Sequence, residues 1–196
     1  MTVPYRQIRA GFTADTITVY QAFDPHIAEP AAAAGRFVPP FKMERMTWIK
    51  PSFLWMMYRC GWARKPGQAR VLAIDISRDG FEWALRHSAL SHPEPGEDAA
   101  TRKTRLRDAP VRIQWDPERD PHHNPLPHRS IQIGLSGSAV HRYVADWTRS
   151  INDITDRVRD IHTALRSDGS VTGLIPDEEP YPLPDDLRSV IRASGN

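Results

Sequence analysis

The segment from Glu44 to Trp62 concentrates the apolar mass of the chain, with three of the six tryptophans, the only cysteine and three of the five methionines. Charged and hydroxyl side chains interrupt this segment. They are Arg45, Thr47, Lys50, Ser52 and Arg59. Burying such groups costs free energy unless they find partners. A segment of this kind therefore either builds an internal polar network or lines a pocket, and the domain has to fold around it.

Composition is typical of a globular protein with one domain. The chain has 196 residues, of which 40% are hydrophobic and 26% charged, and its net charge of +2 neither requires nor excludes a nucleic-acid partner. A single cysteine excludes an internal disulfide framework and a cysteine-based zinc site. No stretch has the length and apolar character of a signal region or a membrane span, so we expect a cytoplasmic protein without a membrane partner.

Alternating, β-branched stretches predict the strands of a sheet. The first covers 16–23, and Asp24 then has the features of an N-cap for a short alanine-rich helix. A second strand is predicted at 45–50, after which Ser52 is placed to cap a helix that ends near Gly61. Further strands are predicted at 70–76, 111–116 and 129–135, loops at 92–108 and 117–127, and either a strand or a helix at 80–87.

The most regular pattern predicts one long amphipathic helix over residues 140–165, because apolar residues recur there every three or four positions. They are Val140, Tyr143, Val144, Trp147, Ile151, Ile154, Val158, Ile161 and Leu165. Strands early and a long helix late favour a single compact α+β domain over 1–175, with a β-sheet core that this helix covers. We expect an acidic, proline-rich tail at 176–196, which Tyr181 and Leu183 can attach to the domain.

Several stretches of this sequence are typical of one known family. They are residues 6–10, 19–23, 45–62, 80–83, 111–119 and 129–135. On these runs, which span roughly residues 5–156, the sequence is identified as a member of the family called domain of unknown function 4291. The family name states no activity, so the chemistry has to be argued from the residues.

The order of elements also resembles, more weakly, the ADP-ribosyltransferase superfamily, which cleaves NAD and transfers ADP-ribose to a protein or nucleic acid. Tyr20-Gln21 is similar to the residue pair that holds the nicotinamide in that superfamily, with Gln in place of His or Arg. Thr47 and Ser52, on either side of Lys50, are similar to the polar residues beside the ribose. The resemblance implies an ADP-ribosyltransferase-like core with NAD as the substrate.

The late strand is where this sequence departs from that superfamily. A glutamate there orients the ribose hydroxyls or the acceptor, whereas this chain offers Gln132 on its late strand and Glu118 just past another strand. The resemblance implies catalytic roles for Gln132, Glu118 and Ser52. Without an acid on the late strand, binding of NAD is expected but transfer is not assured.

Cationic and aromatic side chains provide the groups that hold NAD. Arginine and lysine suit the pyrophosphate, and tyrosine and tryptophan faces suit the nicotinamide ring. The NAD-binding residues implied by the resemblance are Arg9, Tyr20, Gln21, Arg45, Thr47, Trp48 and Lys50. As an alternative, Arg45 and Lys50 form ion pairs with Glu44 or Asp75 at a strand edge. We expect no metal.

Three further patterns each have a structural and a functional interpretation. Trp48, Trp55 and Trp62 are either core anchors or a stacking ladder for bases, and Trp48 is the best candidate for ligand contact. The basic residues between 102 and 107 either contact phosphates or belong to a solvated loop. The histidines at 122, 123 and 128 lie in a proline-rich loop without a complete ligand set for a metal.

Taken together, the residues and the resemblance predict an NAD-dependent ADP-ribosyltransferase-like enzyme that acts on a nucleic acid or protein acceptor. The alternative is a non-catalytic nucleic-acid-binding module that uses Trp48, Lys50 and the basic residues at 102–107. A third interpretation is a structural subunit of a larger complex.

Overall fold

Strands and helices alternate irregularly along the chain in the computed structural model, which describes residues 3–93, 96–167 and 169–194. The strands are β1 (Arg9–Ala10), β2 (Thr16–Phe23), β3 (Thr47–Ile49), β4 (Arg70–Ser77), β5 (Ser88–Leu90), β6 (Val111–Arg119), β7 (Pro125–Leu135), β8 (Thr148–Asp153) and β9 (Glu179–Pro180). The helices are α1 (Pro25–Ala34), α2 (Phe53–Cys60), α3 (Arg78–Arg86), α4 (Ala99–Asp108), α5 (Ser138–Arg142), α6 (Thr155–Arg166) and α7 (Asp185–Ile191), with a π-helical turn at Tyr143–Trp147. The prediction of an α+β domain is confirmed.

Two sheets form the framework and meet at one point. Strands β2, β4 and β8 form an antiparallel sheet in that spatial order. Strands β3, β7, β6 and β5 form the other, in which β5 and β6 run parallel and the remaining pairs antiparallel. Where the sheets meet, Tyr20 N–H donates to the Lys50 carbonyl at 2.7 Å and Lys50 N–H donates to the Tyr20 carbonyl at 3.3 Å. Lys50 therefore lies at the junction of the two sheets.

Buried side chains form a main core and a smaller second cluster. The main core joins the two sheets to α1, α3, α5 and α7 and includes Ile74, Phe81 and Trp115. The second cluster lies beneath α2 and α6 and includes Tyr20 and Phe53. Successive residues of β2 point to opposite faces of the sheet, so its side chains contribute to both clusters.

The predicted continuous helix over 140–165 is wrong. The chain instead forms α5, the π-helical turn, strand β8 and then α6. Strand β8 completes the three-stranded sheet by pairing with β4, where Ile151 lies opposite Ile74. The apolar spacing is compatible with a helix, but the pairing of β8 with a strand 75 residues earlier satisfies the backbone groups and overrides the local pattern.

The π-helical turn is fixed by a close contact with α3. A Cβ atom at Gly80 would overlap the indole of Trp147, so glycine at this position allows the ring to pack directly on the helix backbone. Ser77 caps α3 by accepting a hydrogen bond from Gly80 N–H at 3.3 Å. This cap and the packing explain why the segment at 80–87, for which strand and helix were both open, is helical.

The predicted ends of α1 and α2 are confirmed, whereas one predicted strand is shorter and two predicted loops are partly regular. Asp24 and Ser52 are the N-caps of α1 and α2, and Gly35 and Gly61 end these helices in left-handed conformation. The strand predicted at 45–50 is shorter and covers Thr47–Ile49. The predicted loops are partly regular, since 99–108 is α4 and most of 117–127 extends the β6–β7 hairpin.

The acidic C-terminal segment packs onto the domain. Strand β9 pairs with β1, and Tyr181 and Leu183 are buried, as the sequence suggested for their side chains. In α7, Leu187 and Ile191 are fully buried. Trp115 donates from its indole N–H to the Ile191 carbonyl at 2.8 Å. The C-terminal residues up to 194 therefore help to close the main core.

Candidate functional site

A cavity of about 790 Å³ opens beside the junction of the two sheets. Its walls come from the end of β2, the start of α1, the connection between α1 and β3, and residues of α2, β6 and β7. The polar side chains in its lining are Gln21, Asp24, His26, Lys42, Arg45, Thr47, Lys50, Arg59, Gln68, Gln114 and Gln132. A cavity of this size accommodates a ligand as large as a nucleotide.

Strand alternation explains the polar floor of the cavity. In strands of period two, every second side chain points to the same face. Trp48 on β3 lies opposite Gly134 on β7, and Gln132 lies opposite Gln114 on β6, so these residues share one face of the four-stranded sheet. Ile49, which pairs with Ile133 on the other face, is buried in the main core. The floor is thus the polar face of a sheet whose opposite face is apolar.

Trp48 forms a flat aromatic wall of the cavity. A Cβ atom at Gly134 would lie 2.9 Å from two atoms of the Trp48 indole, so the ring rests on bare backbone. Trp48 lines the cavity, whereas Trp55 and Trp62 are only 6% and 3% exposed. Of the three tryptophans, Trp48 is therefore the one available to a ligand, as the sequence suggested.

Lys50 is a buried amine at the edge of this floor. The residue is 5% exposed, and its Nζ lies 5.1 Å from the centroid of the Trp55 ring. Among the described residues, no carboxylate pairs with this amine and no side-chain hydrogen bond from it is formed. Burial, and then the positive charge of Arg59, lowers the pKa of Lys50 to about 7, while Asp116 opposes the shift. Lys50 therefore loses its proton far more readily than an ordinary lysine.

Positive charge dominates the rest of the lining. Lys42, Arg45 and Arg59 are exposed, and within the described part of the chain their side chains form no ion pair. The lining carboxylate of Asp24 is held by its neighbour His26, whose Nδ1 lies 2.6 Å from Oδ1. The alternative that Arg45 and Lys50 are paired at a strand edge is not what the structure shows. The cavity therefore offers several unpaired cations to an anionic ligand.

Gln132 and a neighbouring acid form a polar pair in the floor. Gln132 donates from Nε2 to Asp116 Oδ2 at 2.7 Å and also to Gln114 Oε1, while its own Oε1 has no hydrogen-bond partner in the described part of the chain. Burial raises the pKa of Asp116, although the hydrogen bond from Gln132 opposes the rise. The resemblance implied a catalytic role for Glu118 and none for Asp116. Alternation along β6 places Asp116 on the face of Gln114, and a register shift between Pro117 and Arg119 breaks the alternation at Glu118.

Gln21 is consumed by an internal network. Its Nε2 donates to Thr47 Oγ1 at 2.6 Å and to the Trp48 carbonyl at 3.1 Å, and its Oε1 accepts from Tyr143 Oη at 2.8 Å. Both ends of this amide are therefore satisfied. Gln21 and Thr47 line the cavity, but their bonds mainly fix β3 against β2. Tyr20 points to the other face of β2, so the expected Tyr20-Gln21 pair does not face one site.

Four of the expected site residues lie away from the cavity, near Glu178. They are Arg9, Tyr20, Ser52 and Glu118. Arg9 donates to the Glu178 carbonyl at 2.7 Å, and Ser52 Oγ accepts from Trp55 N–H at 3.1 Å as a helix cap. Glu118 Oε1 accepts from Arg119 N–H at 2.8 Å. These bonds give Arg9, Ser52 and Glu118 structural positions, and Tyr20 has one through its backbone bonds to Lys50.

Glu178 is the centre of that second group. Its Oε1 accepts a hydrogen bond from Phe53 N–H at 2.6 Å, at the N-terminus of α2. Burial raises the pKa of Glu178 to about 8, and the charge of Glu118 adds to the rise, while the Phe53 bond and Arg9 oppose it. Burial also raises the pKa of Tyr20, which packs edge-on against Phe53.

Four lining residues were not among the predicted site residues: Lys42, Arg59, Gln68 and Gln114. Asp116, which accepts from the lining residue Gln132, was not among them either. For Gln114 and Asp116, the signal was the alternation of polar residues along β6. Arg59 was visible as a charge within an apolar helix. Lys42 and Gln68 come from irregular connections, whose approach to the cavity depends on long-range packing.

The histidines at 122 and 123 do not form a metal site. Trp62 stacks between His123 and His162, with interplanar angles of 11° and 7°. In residues 3–93, 96–167 and 169–194, no three potential ligands among His, Cys, Asp and Glu come together. His123 thus packs against aromatic rings.

No described helix is both long and apolar enough to cross a bilayer.

Comparison with known proteins places the whole arrangement in one family. Among curated proteins, no relative matches this chain. The family model described as Domain of unknown function (DUF4291) matches residues 7–181, which include every element of the cavity and the segment around Glu178. The chain belongs to the DUF4291 family.

Proposed function

We propose that the cavity binds NAD and that the protein is an NAD-dependent ADP-ribosyltransferase-like enzyme acting on a nucleic acid or protein acceptor. The observation that carries this proposal is Lys50, a buried amine that has no acidic partner among the described residues and faces a cavity lined by further cations. An unpaired buried cation is costly, and a phosphate that enters the cavity would offset the cost.

The groups around Lys50 match the parts of NAD. Arg45, Arg59 and Lys42 suit the pyrophosphate, and the Trp48 face suits an aromatic base or the nicotinamide. The free Oε1 of Gln132 suits a ribose hydroxyl. These contacts support binding of the intact dinucleotide in the cavity.

Transfer requires cleavage of the bond between nicotinamide and ribose, which places positive charge on the sugar as in glycoside chemistry. Asp116, held by Gln132 at 2.7 Å, supplies the carboxylate that the late strand itself lacks. In this proposal Gln132 and Asp116 have the role that the sequence argument gave to Gln132, Glu118 and Ser52. The meeting of two sheets at Tyr20 and Lys50 supports an ADP-ribosyltransferase-like core, and the free thiol of Cys60 supports a cytoplasmic setting.

A thermal shift experiment tests the binding step. NAD at millimolar concentration is expected to raise the melting temperature of the protein, because a ligand that binds only the folded state stabilises it. The matched variants are Lys50→Met, which removes the amine in the cavity, and Lys65→Met, which removes an exposed amine outside it. We expect the shift to be lost in the first variant and kept in the second. The absence of any shift with NAD in the unmodified protein would contradict the proposal.

Release of nicotinamide tests the transfer step. Incubation with NAD and candidate acceptors is expected to release nicotinamide, and Asp116→Asn is expected to slow the release more than it weakens binding. Equal release by Asp116→Asn and the unmodified protein would remove Asp116 from the mechanism. Binding of NAD without release of nicotinamide would indicate that the protein binds NAD but does not cleave it.

A second candidate function is supported by a groove beside α4. This groove of about 570 Å³ is lined by Arg102, Lys103, Arg107 and Arg112 together with Ala99 and Leu106. Arg112 lies two residues before Gln114 on β6 and hence on the face that forms the cavity floor. A basic groove next to a Trp-lined cavity suits a non-catalytic nucleic-acid-binding module.

Salt dependence distinguishes this second function. Binding of a single-stranded oligonucleotide through the groove is expected to weaken steeply as salt rises, and a Lys103→Ala, Arg107→Ala double variant is expected to reduce that slope. Binding that does not respond to salt would contradict this function, and release of nicotinamide would favour the enzyme.

A further inference from the structure

We propose that Lys50 is a nucleophilic amine that forms a reversible imine with the aldehyde of a phosphorylated sugar bound in the cavity. The ligand class is a phosphate ester with a free carbonyl group, such as the open-chain form of ADP-ribose. This inference rests on the proposed function for the anion-binding character of the cavity, but it does not require NAD to be cleaved.

The position of Lys50 is unusual for a lysine that only carries charge. Its side chain is 5% exposed, stands beside the Trp55 ring and opens to the cavity. No described carboxylate holds the amine as an ammonium ion. Because attack on a carbonyl needs the lone pair of a neutral amine, burial without an acidic partner is the environment that activates a lysine.

The surrounding cations place a phosphorylated ligand near this amine. Arg59 is a lining residue whose charge acts on Lys50, and Arg45 and Lys42 line the same cavity without ion pairs among the described residues. A phosphate held by these side chains would bring the rest of a small sugar into the same enclosed volume. The cavity therefore combines an anchor for phosphate with a reactive amine.

The reaction is balanced without another reactant. The Nζ lone pair attacks the carbonyl carbon and forms a C–N bond, and the carbonyl oxygen takes up the proton released from nitrogen to give a carbinolamine. Loss of water, which carries away that oxygen and the two hydrogens of the amine, leaves the C=N bond. Hydrolysis reverses both steps, so the ligand is released unchanged.

Pyridoxal 5′-phosphate is a suitable probe, because it combines an aldehyde with a phosphate. The chain contains four lysines, Lys42, Lys50, Lys65 and Lys103, so peptide mass analysis after borohydride reduction assigns every adduct. We expect Lys50 to be modified first at neutral pH, because its pKa of about 7 leaves a neutral amine there, beside the cations that line the cavity. Preferential modification of Lys42, Lys65 or Lys103 at neutral pH would overturn the proposal.

Two comparisons separate imine formation from simple charge. Lys50→Arg keeps a cation but cannot form an imine, so it is expected to abolish neutral-pH trapping, whereas Lys65→Arg, an exposed control, is expected to leave it unchanged. 5′-Deoxypyridoxal, which has the aldehyde but no phosphate, is expected to react with Lys50 at least about tenfold less efficiently, because charged hydrogen bonds to the phosphate are lost. Equal reaction of both aldehydes would overturn the role of the cavity as a phosphate anchor.

A parallel measurement separates this inference from the proposed function. The melting-temperature shift by NAD is expected to persist in Lys50→Arg, because the charge remains, although imine trapping is lost. If Lys50 is trapped but NAD does not raise the melting temperature, imine formation is supported and the proposal that the cavity binds NAD is rejected. If NAD raises the melting temperature but Lys50 is not trapped, binding of NAD is supported and the proposal of an imine is overturned.

Discussion

Lys50 and Glu178 are two ionisable groups that lose hydration in different surroundings. Burial lowers the pKa of Lys50 to about 7 and raises the pKa of Glu178 to about 8, so each is driven toward its neutral form. Glu178 accepts a hydrogen bond from Phe53 N–H at the start of α2, whereas the Lys50 amine has no hydrogen-bond partner among the described residues and faces a cavity.

This difference in partners distinguishes a buried polar group with a structural role from one that belongs to a candidate ligand site. Glu178 is enclosed with Arg9, Tyr20, Ser52 and Glu118, and its bond fixes the C-terminal segment to α2. Lys50 has no comparable role in holding elements together through its side chain. A buried amine that has a Trp55 ring beside it but no carboxylate or hydrogen-bond partner among the described residues, next to a large opening, is better explained by a ligand than by stability.

The largest effect is expected from Lys50→Met. This change removes a buried amine whose protonation opposes folding, so the free energy of unfolding at pH 7 is expected to rise by roughly 2–5 kcal/mol. Because the folded pKa is lowered, the unmodified protein binds fewer protons than its unfolded chain between pH 7 and pH 10, and its stability rises with pH there. Urea unfolding across this range measures both effects. A less stable Lys50→Met variant would show that the amine has a structural partner.

Glu178→Gln is expected to have a smaller effect with the opposite pH dependence. The raised pKa means that the folded protein binds more protons than the unfolded chain between about pH 4.5 and pH 8, so this group makes stability fall as pH rises through that window. Gln keeps an acceptor for Phe53 N–H, and the variant is expected to gain about 1–3 kcal/mol at pH 9 relative to the unmodified protein. Glu179→Gln, at a neighbouring exposed position, is the control. An identical pH profile for Glu178→Gln would indicate that the carboxyl group is hydrated.

Some of this arrangement follows from the sequence and some does not. The mixture of Lys50 and Trp48 in an apolar segment correctly identified a cavity-lining stretch, because polar groups there need either partners or an opening. The helix caps Asp24 and Ser52 were also predictable, since capping is a local interaction. In contrast, separating Glu118 from Asp116 required the register shift between Pro117 and Arg119 where β6 pairs with β7, because strict alternation would put both acids on one face.

The prediction of one long helix over 140–165 was wrong for a related reason. Residues between 148 and 153 have apolar spacing that suits a helix, but β8 is fixed by pairing with β4. Likewise, the sequence grouped Tyr20 with Gln21 as one binding pair, although adjacent strand residues point to opposite faces. Non-local pairing and the face of each strand are the two pieces of information that local patterns did not contain.

Gly134→Ala sharpens the comparison on the cavity side. The new methyl group would lie 2.9 Å from the Trp48 indole, so the ring has to move away from the floor. NAD affinity is expected to fall about three- to tenfold through the loss of stacking. Gly11→Ala, whose Cβ would meet its closest neighbour at an ordinary 3.6 Å, is the control for a glycine change in general. Unchanged affinity in Gly134→Ala would remove Trp48 from the ligand contact.

Arg45→Gln is expected to have the smallest effect. Arg45 is exposed at the cavity, so its loss is expected to leave stability unchanged within about 0.5 kcal/mol and to weaken NAD binding roughly threefold at low salt. The difference from the unmodified protein should shrink as salt rises, because exposed charges are screened. Arg149→Gln, an exposed change outside the cavity lining, is expected to leave affinity unchanged, and an equal loss in both variants would indicate non-specific attraction.

Proton uptake on ligand binding tests the central role of Lys50 most directly. At pH 8 the free amine is mostly neutral, and a phosphate that binds beside it should raise its pKa and protonate it. Titration calorimetry with NAD in buffers of different ionisation enthalpy is expected to show net proton uptake on binding, and none in Lys50→Arg. Binding of NAD without proton uptake, or with the same uptake in Lys50→Arg, would contradict the account.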